Sequence, residues 1–190
     1  MSGEIAAFEL SSFDKFVSEY PNITALAPEA LKAFDQFLPT LDKFFDLIDS
    51  IESDISSLIV YIKWYGSAVI SSGDTIRANS NWYRQPIFDN ISINMDINEI
   101  GDYTTYDGLC FGKVLMLCSV QISSFNEAFY LALIQWYDYK NKSKLNLYDC
   151  PWIKLTSQYE FIPIDSAVES IHVVPRFEKN NEYLVNTFMF

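Results

Sequence analysis

One histidine in 190 residues leaves little imidazole chemistry to distribute. His172 stands in Ile171-His172-Val173-Val174, which reads as strand, so a hydrogen-bonded structural role is expected rather than a catalytic base. No Gly-x-Ser-x-Gly elbow accompanies Ser166 or Ser170 nearby. Cysteine is scarce as well. Cys110, Cys118 and Cys150 form no Cys-x-x-Cys pair, and structural zinc wants four Cys or His ligands, so no metal site and no cofactor is expected. An odd thiol count without a basic, then hydrophobic, leader predicts buried free thiols in a reducing, intracellular setting, with the sequons at Asn22, Asn90 and Asn141 accidental. No apolar run approaches the roughly 20 residues that cross a bilayer, so no membrane partner is expected. Glycine ends at Gly112, so later turns must rely on Asn, Asp, Lys and Pro. Gly108-Leu-Cys-Phe-Gly112 lacks the Gly-Lys-Ser/Thr ending of a phosphate loop and reads as a turn into a strand.

Cations are short too. Thirteen Lys and Arg face 25 Asp and Glu, a net charge of -12. Residues 1–60 hold eleven acids and three bases, for -8, and the remainder holds fourteen and ten, for -4. A phosphate backbone is held mainly by Lys and Arg that displace counterions, so autonomous non-specific nucleic-acid binding is not expected.

Apolar and aromatic residues are plentiful, at 49% and 16%, enough for a substantial core. The first third reads as helix. Phe13, Phe16, Val17 and Tyr20 fall at helical spacing behind Ser11 or Ser12 and stop at Pro21. Pro28 opens a second helix with Leu31, Phe34 and Phe37 inward, ending before Pro39. Leu41, Phe44, Ile48, Ile51, Ile55, Leu58, Ile62 and Tyr65 then recur at 3, 4, 3, 4, 3, 4, 3, a heptad seam about 36 Å long with acids outside. The pattern predicts antiparallel N-terminal helices over residues 1–66. Part of the seam, Leu41 to Tyr65, is also a possible homodimer interface.

Past Gly66 the period shortens. Ser71-Ser72-Gly73-Asp74 is a turn and Asn79-Ser80-Asn81 a loop. Alternation at Ile91, Ile93, Met95 and Ile97 predicts a half-buried strand, and a turn at Asp107-Gly108 leads to another from Cys110 to Ile122. "FYLALIQ" is apolar on both faces and therefore central in a sheet. Lys140, Lys142 and Lys144 mark a hairpin tip. "YEFIPI", "SIHVVPRF" and "EYLVNTFMF" complete the strands. Short strands joined by tight turns predict a small antiparallel barrel over 67–190 and an α+β class overall.

Two clusters carry chemistry. Trp136 and Tyr137 project from opposite faces of one strand, so one of them is core. The other can join Tyr139, Tyr148 or Trp152 in a surface pocket suited to a methylated ammonium or a peptide, although packing of the barrel explains such rings as well. Asp89, Asp96, Glu99, Asp102 and Asp107 lie close in sequence without EF-hand spacing; a divalent-metal enzyme built on them is a further alternative.

Five blocks, "RANSNWYRQPIFDNISI", "YDGLCFGKVLML", "LALIQWYDYK", "LYDCPWIKL" and "IHVVPRFEKNNEYLVNTFMF", follow one another from Arg77 to Phe190. In this order they resemble the C-terminal region of fungal CACTA-like and Plavaka-like DNA-transposon proteins. The matching positions include Trp136, Tyr137, Asp138, Cys150, Pro151, Pro175, Arg176, Phe177, Asn181, Tyr183 and Asn186. The resemblance implies a non-catalytic accessory module, a BAH-like or SH3-like barrel that meets a protein or chromatin partner in the nucleus. Trp136, Tyr137, Tyr139, Tyr148, Trp152 and Arg176 are its candidate partner-binding residues. A structural homo-oligomer using the heptad helix is the alternative, and the acidic helices of 41–65 have no counterpart in the resembled pattern.

Overall fold

The computed structural model describes residues 1–21, 23–48, 58–94, 109–140 and 150–186. Strand β1 (Ser2–Glu9) precedes helices α1 (Phe13–Glu19) and α2 (Pro28–Asp46). Nine strands follow: β2 (Val60–Val69), β3 (Thr75–Trp82), β4 (Gln85–Phe88), β5 (Asn90–Asn94), β6 (Leu109–Ile122), β7 (Phe129–Tyr139), β8 (Trp152–Pro163), β9 (Ala167–Pro175) and β10 (Glu182–Asn186).

Every pairing is antiparallel, and six strands close a ring in the order β6-β5-β9-β10-β8-β7 and back to β6. The expected antiparallel β-barrel is present. Its hub is β6, which pairs with β7 along one edge. On the other edge Leu109–Lys113 pairs with β5, whereas Leu117–Ile122 pairs with β2. The fork opens a second sheet out of the barrel wall, in which β2 also carries β1 and β3, and β3 carries β4.

Burial follows this fork. Phe111, Tyr137, Ile153, Ile171 and Val185, one from each of five barrel strands, fill one end of the ring. Ile91, Ile93, Val114, Ala132, Ile134 and Ile162 lie on the opposite face of their strands and pack with Ile76 and Ala78 of β3. Leu115, Met116, Cys118, Leu131, Leu133 and Phe161 pack instead with Phe37 and Leu41 of α2. Both faces of β6 and β7 are therefore buried, which is why their sequences are apolar without alternation. The helix-side core is unusually aromatic. Phe13 stacks on Phe37 at 4.8 Å, Phe8 on Phe16 at 4.2 Å, and Phe37 meets Phe161 edge-on at 5.6 Å.

Four expectations are corrected. The N-terminal third is not wholly helical: β1 and β2 are strands, and β2 runs through the boundary expected at residue 66. The seam over 41–65 is not one continuous helix: α2 ends at Asp46 and Val60–Tyr65 is strand, so a dimer interface cannot be drawn along a single helix there. Ile51 and Ile55 lie outside the described residues. The second helix does not stop before Pro39 but passes through it. An interior proline removes one helical hydrogen bond at a cost of about 3 kcal/mol. Burial of Phe37, Leu41 and Phe45 at four-residue spacing outweighs that loss. Finally, Asn79-Ser80-Asn81 is part of β3 rather than a loop.

A groove between the long helix and a bulged hairpin

Strands β7 and β8 fall out of step once. Gln135 stands opposite Tyr159, yet Tyr137 stands opposite Leu155, so Thr156, Ser157 and Gln158 must all pass Trp136. Such a bulge bends its strand and re-aims side chains. Polar groups fasten it. Buried Gln135 donates Nε2–H to the Thr156 carbonyl at 2.5 Å, and Thr156 Oγ1 donates to the Trp136 carbonyl at 2.8 Å. The same hydroxyl accepts the Gln158 amide at 3.1 Å.

The bulge faces α2 across a cavity of about 740 Å³. That volume falls within the range of roughly 300–1,000 Å³ typical of ligand pockets. Pro39, Phe44 and Leu47 form the helix wall, and Trp136, Tyr159 and Phe161 the sheet wall. Thr40, Thr156, Ser157 and Gln158 supply short polar groups, while two cations, Lys43 and Lys154, are balanced by Asp138 and Glu160. The Trp136 indole donates to Glu160 Oε2 at 2.8 Å, which fixes the ring. Burial pushes the Tyr159 phenol up, and the Tyr137 phenol further, so neither is primed as a nucleophile.

The candidate residues divide. Tyr137 is the core member of the Trp136–Tyr137 pair: it is 8% exposed, its hydroxyl donates to Asn90 Oδ1 at 2.8 Å, and its ring meets Tyr183 at 5.6 Å. Half-buried Trp136 and Tyr139 border the groove, as does the rim of buried Tyr137, and the Tyr139 hydroxyl donates to the Leu109 carbonyl at 3.1 Å. Tyr148 lies outside the described residues. Trp152 and Arg176 form a separate cluster that does not border the groove. The Arg176 guanidinium stacks over the Trp152 ring at 4.1 Å, and Lys140 approaches the same ring at 5.6 Å. Glu182 accepts from Lys140 at 2.5 Å and from Arg176 at 3.1 Å, and the Lys140 hydrogen bond holds its carboxyl below the ordinary value. The ring that was to receive an ammonium from outside is already engaged by two cations of its own chain.

Sequence reasoning missed Gln135, Thr156, Ser157, Gln158 and the whole helix wall. A signal for the bulge existed: Gln135 interrupts an apolar run, and Thr156-Ser157-Gln158 breaks the alternation between Leu155 and Tyr159. Nothing in sequence paired that bulge with α2.

Other candidates are placed as follows. His172 is exposed on β9. Cys110, Cys118 and Cys150 are buried outside any disulfide, and burial pushes the Cys118 thiol up. Asp89 accepts from the Arg77 amide at 2.9 Å and from its guanidinium at 3.4 Å; burial nonetheless raises its carboxyl. Asp96, Glu99, Asp102 and Asp107 lie outside the described residues. Among the described residues no three His, Cys, Asp or Glu side chains converge on one point, and no helix is long and apolar enough to cross a membrane.

Compared with protein-family profiles, characterised proteins and solved structures, the chain matches none.

Proposed function

We propose that the chain is a non-enzymatic interaction module that holds a segment of a protein or chromatin partner in the groove between α2 and the β7–β8 bulge. The observation that carries this reading is the composition of the groove walls. Aromatic surface, short hydrogen-bonding side chains and equal numbers of opposite charges suit an uncharged polypeptide backbone with apolar side chains. A phosphate-bearing ligand would call for an excess of cations. The raised phenols favour binding over catalysis, because reactive groups are commonly tuned the other way. The five sequence blocks support the origin proposed for it, an accessory BAH-like or SH3-like barrel derived from a fungal DNA-transposon protein and working in the nucleus.

A photo-crosslinking amino acid at Ser157 and another at Lys43, on the two walls, tests the groove. Both positions label one common partner, whereas exposed His172 on β9 does not. Two unrelated sets of products from the two walls would refute the reading. Ser157→Arg, which fills the groove from an exposed position, lowers the yield at Lys43 without shifting the melting temperature.

A further inference from the structure

Trp82 stands opposite Gln85 in the β3–β4 ladder, so Tyr83 and Arg84 are the whole of the connecting loop. Both have left-handed backbones, with φ of +48° and +70°. A two-residue hairpin turn whose twist suits its strands demands that conformation, but Asn, Asp and Gly normally supply it. A Cβ is crowded there, so Tyr-Arg is a strained choice. The fold gains little from the Tyr83 side chain, which is 88% exposed. Strain kept at a site where packing does not require it points to function.

The tip is also braced. Asp89 binds the Arg77 amide and guanidinium, the guanidinium sits 5.3 Å from the Trp82 ring centroid, and Trp82 meets Tyr83 edge-on at 5.4 Å. Ordering the rings beforehand lowers the entropy lost on association. Trp, Tyr and Arg are the residue types in which interface binding energy concentrates. Asp89 answers the charge of Arg77, whereas Arg84 forms no ion pair among the described residues. On a chain of net charge -12 the tip therefore carries an unneutralised guanidinium beside two aromatic rings.

We propose that Trp82-Tyr83-Arg84 is a docking anchor for a protein whose surface offers an apolar pocket with a carboxylate at its rim. Tyr83 enters the pocket, Trp82 lies against its wall, and Arg84 pairs with the carboxylate. None of the three lines the α2–β8 groove, so this is a second surface. A single free guanidinium against the overall negative charge disfavours a nucleic-acid strand as the occupant.

Two measurements test the proposal. The double variant Tyr83→Asn, Arg84→Gly installs the relaxed turn and raises the melting temperature by roughly 3 °C or more; an unchanged or lower value would show that no strain is stored. A phage-displayed random dodecapeptide library is then selected on the wild-type chain and depleted on that double variant. Enriched peptides, synthesised singly, carry Asp or Glu beside apolar residues and lose about tenfold in affinity on Tyr83→Ala and on Arg84→Ala. They bind Ser157→Arg as they bind wild type. Selection that yields no acidic consensus, peptides indifferent to Tyr83→Ala, or oligo-dT bound more tightly than the peptides would each overturn it.

Discussion

Gln135 shows how much one buried amide decides. It is 4% exposed, lies in the central strand of the sheet, and spends its side chain on a carbonyl that the bulge leaves without a ladder partner. Replacing it with Leu keeps the volume and strands the Thr156 carbonyl, a penalty of about 1–3 kcal/mol for an unsatisfied buried group. Urea unfolding of Gln135→Leu reads that loss, and crosslinking from Ser157 falls with it because the groove wall loosens. Glu29 makes a pH-dependent counterpart. Burial pushes its carboxyl up, but the Lys113 hydrogen bond at 2.7 Å and the Lys113 charge outweigh burial and hold it below the ordinary 4.5. A depressed carboxylate contributes stability that is fully present above its unfolded value and lost as pH falls through the folded one. Lys113→Met is therefore less stable than wild type at neutral pH, by about 1 kcal/mol at most for a partly exposed pair. The gap closes as pH drops below 4.5. A gap that persists in acid would show that Lys113 acts by packing its stem rather than by charge.

At the scale of elements, the sequence was most readable where a pattern admits one period. Strands β6 and β7, apolar on both faces, appear where the pattern placed them, and β5 covers Ile91 and Ile93 of the expected alternating strand, whose Met95 and Ile97 lie outside the described residues. Residues 58–65 admit two periods. Leu58, Ile62 and Tyr65 complete a heptad seam, while Val60, Ile62 and Trp64 alternate inward against outward Ile59, Tyr61 and Lys63. Ile62 belongs to both patterns. Pairing with β1 and β6 decides for strand, in line with the density of β-branched and aromatic residues. The two readings predict different energetics. Ile62, with no exposure, loses about 2–5 kcal/mol on truncation to Ala. Partly buried Leu58 loses clearly less, and Tyr61, 53% exposed, almost nothing. A helical seam would make Leu58 and Ile62 equivalent in chemical denaturation. The aromatic site was legible only as a list of rings. Pleat and register buried Tyr137 beside Tyr183, set Trp136 on the other face against Glu160, and gave Trp152 to Arg176, and register between strands distant in sequence leaves no local trace.

For the whole molecule, the decisive feature is that the first third of the chain is structural cover for the last two thirds. The barrel closes among β5 to β10, all beyond residue 89, yet Leu115, Met116, Cys118, Leu131, Leu133 and Phe161 of β6, β7 and β8 make a continuous apolar surface. Phe34, Phe37, Leu41 and Phe45 of α2 bury that surface, and β2 pairs the second half of β6, which β5 does not reach. A fragment of residues 67–190 would keep every barrel strand but lose Val60, Ile62 and Trp64 as well as both helices. It would expose Leu115, Met116, Cys118, Leu131, Leu133 and Phe161 together, far more contiguous apolar surface than a soluble monomer usually tolerates. The fragment should bind anilinonaphthalene sulfonate, sediment as aggregate and lack a cooperative thermal transition, whereas the full chain unfolds in one step. A fragment that stays monomeric and unfolds cooperatively would mean that the barrel is complete without α2. In that case the groove would lie between two separable units, and deleting the helices would abolish partner crosslinking without disturbing the barrel.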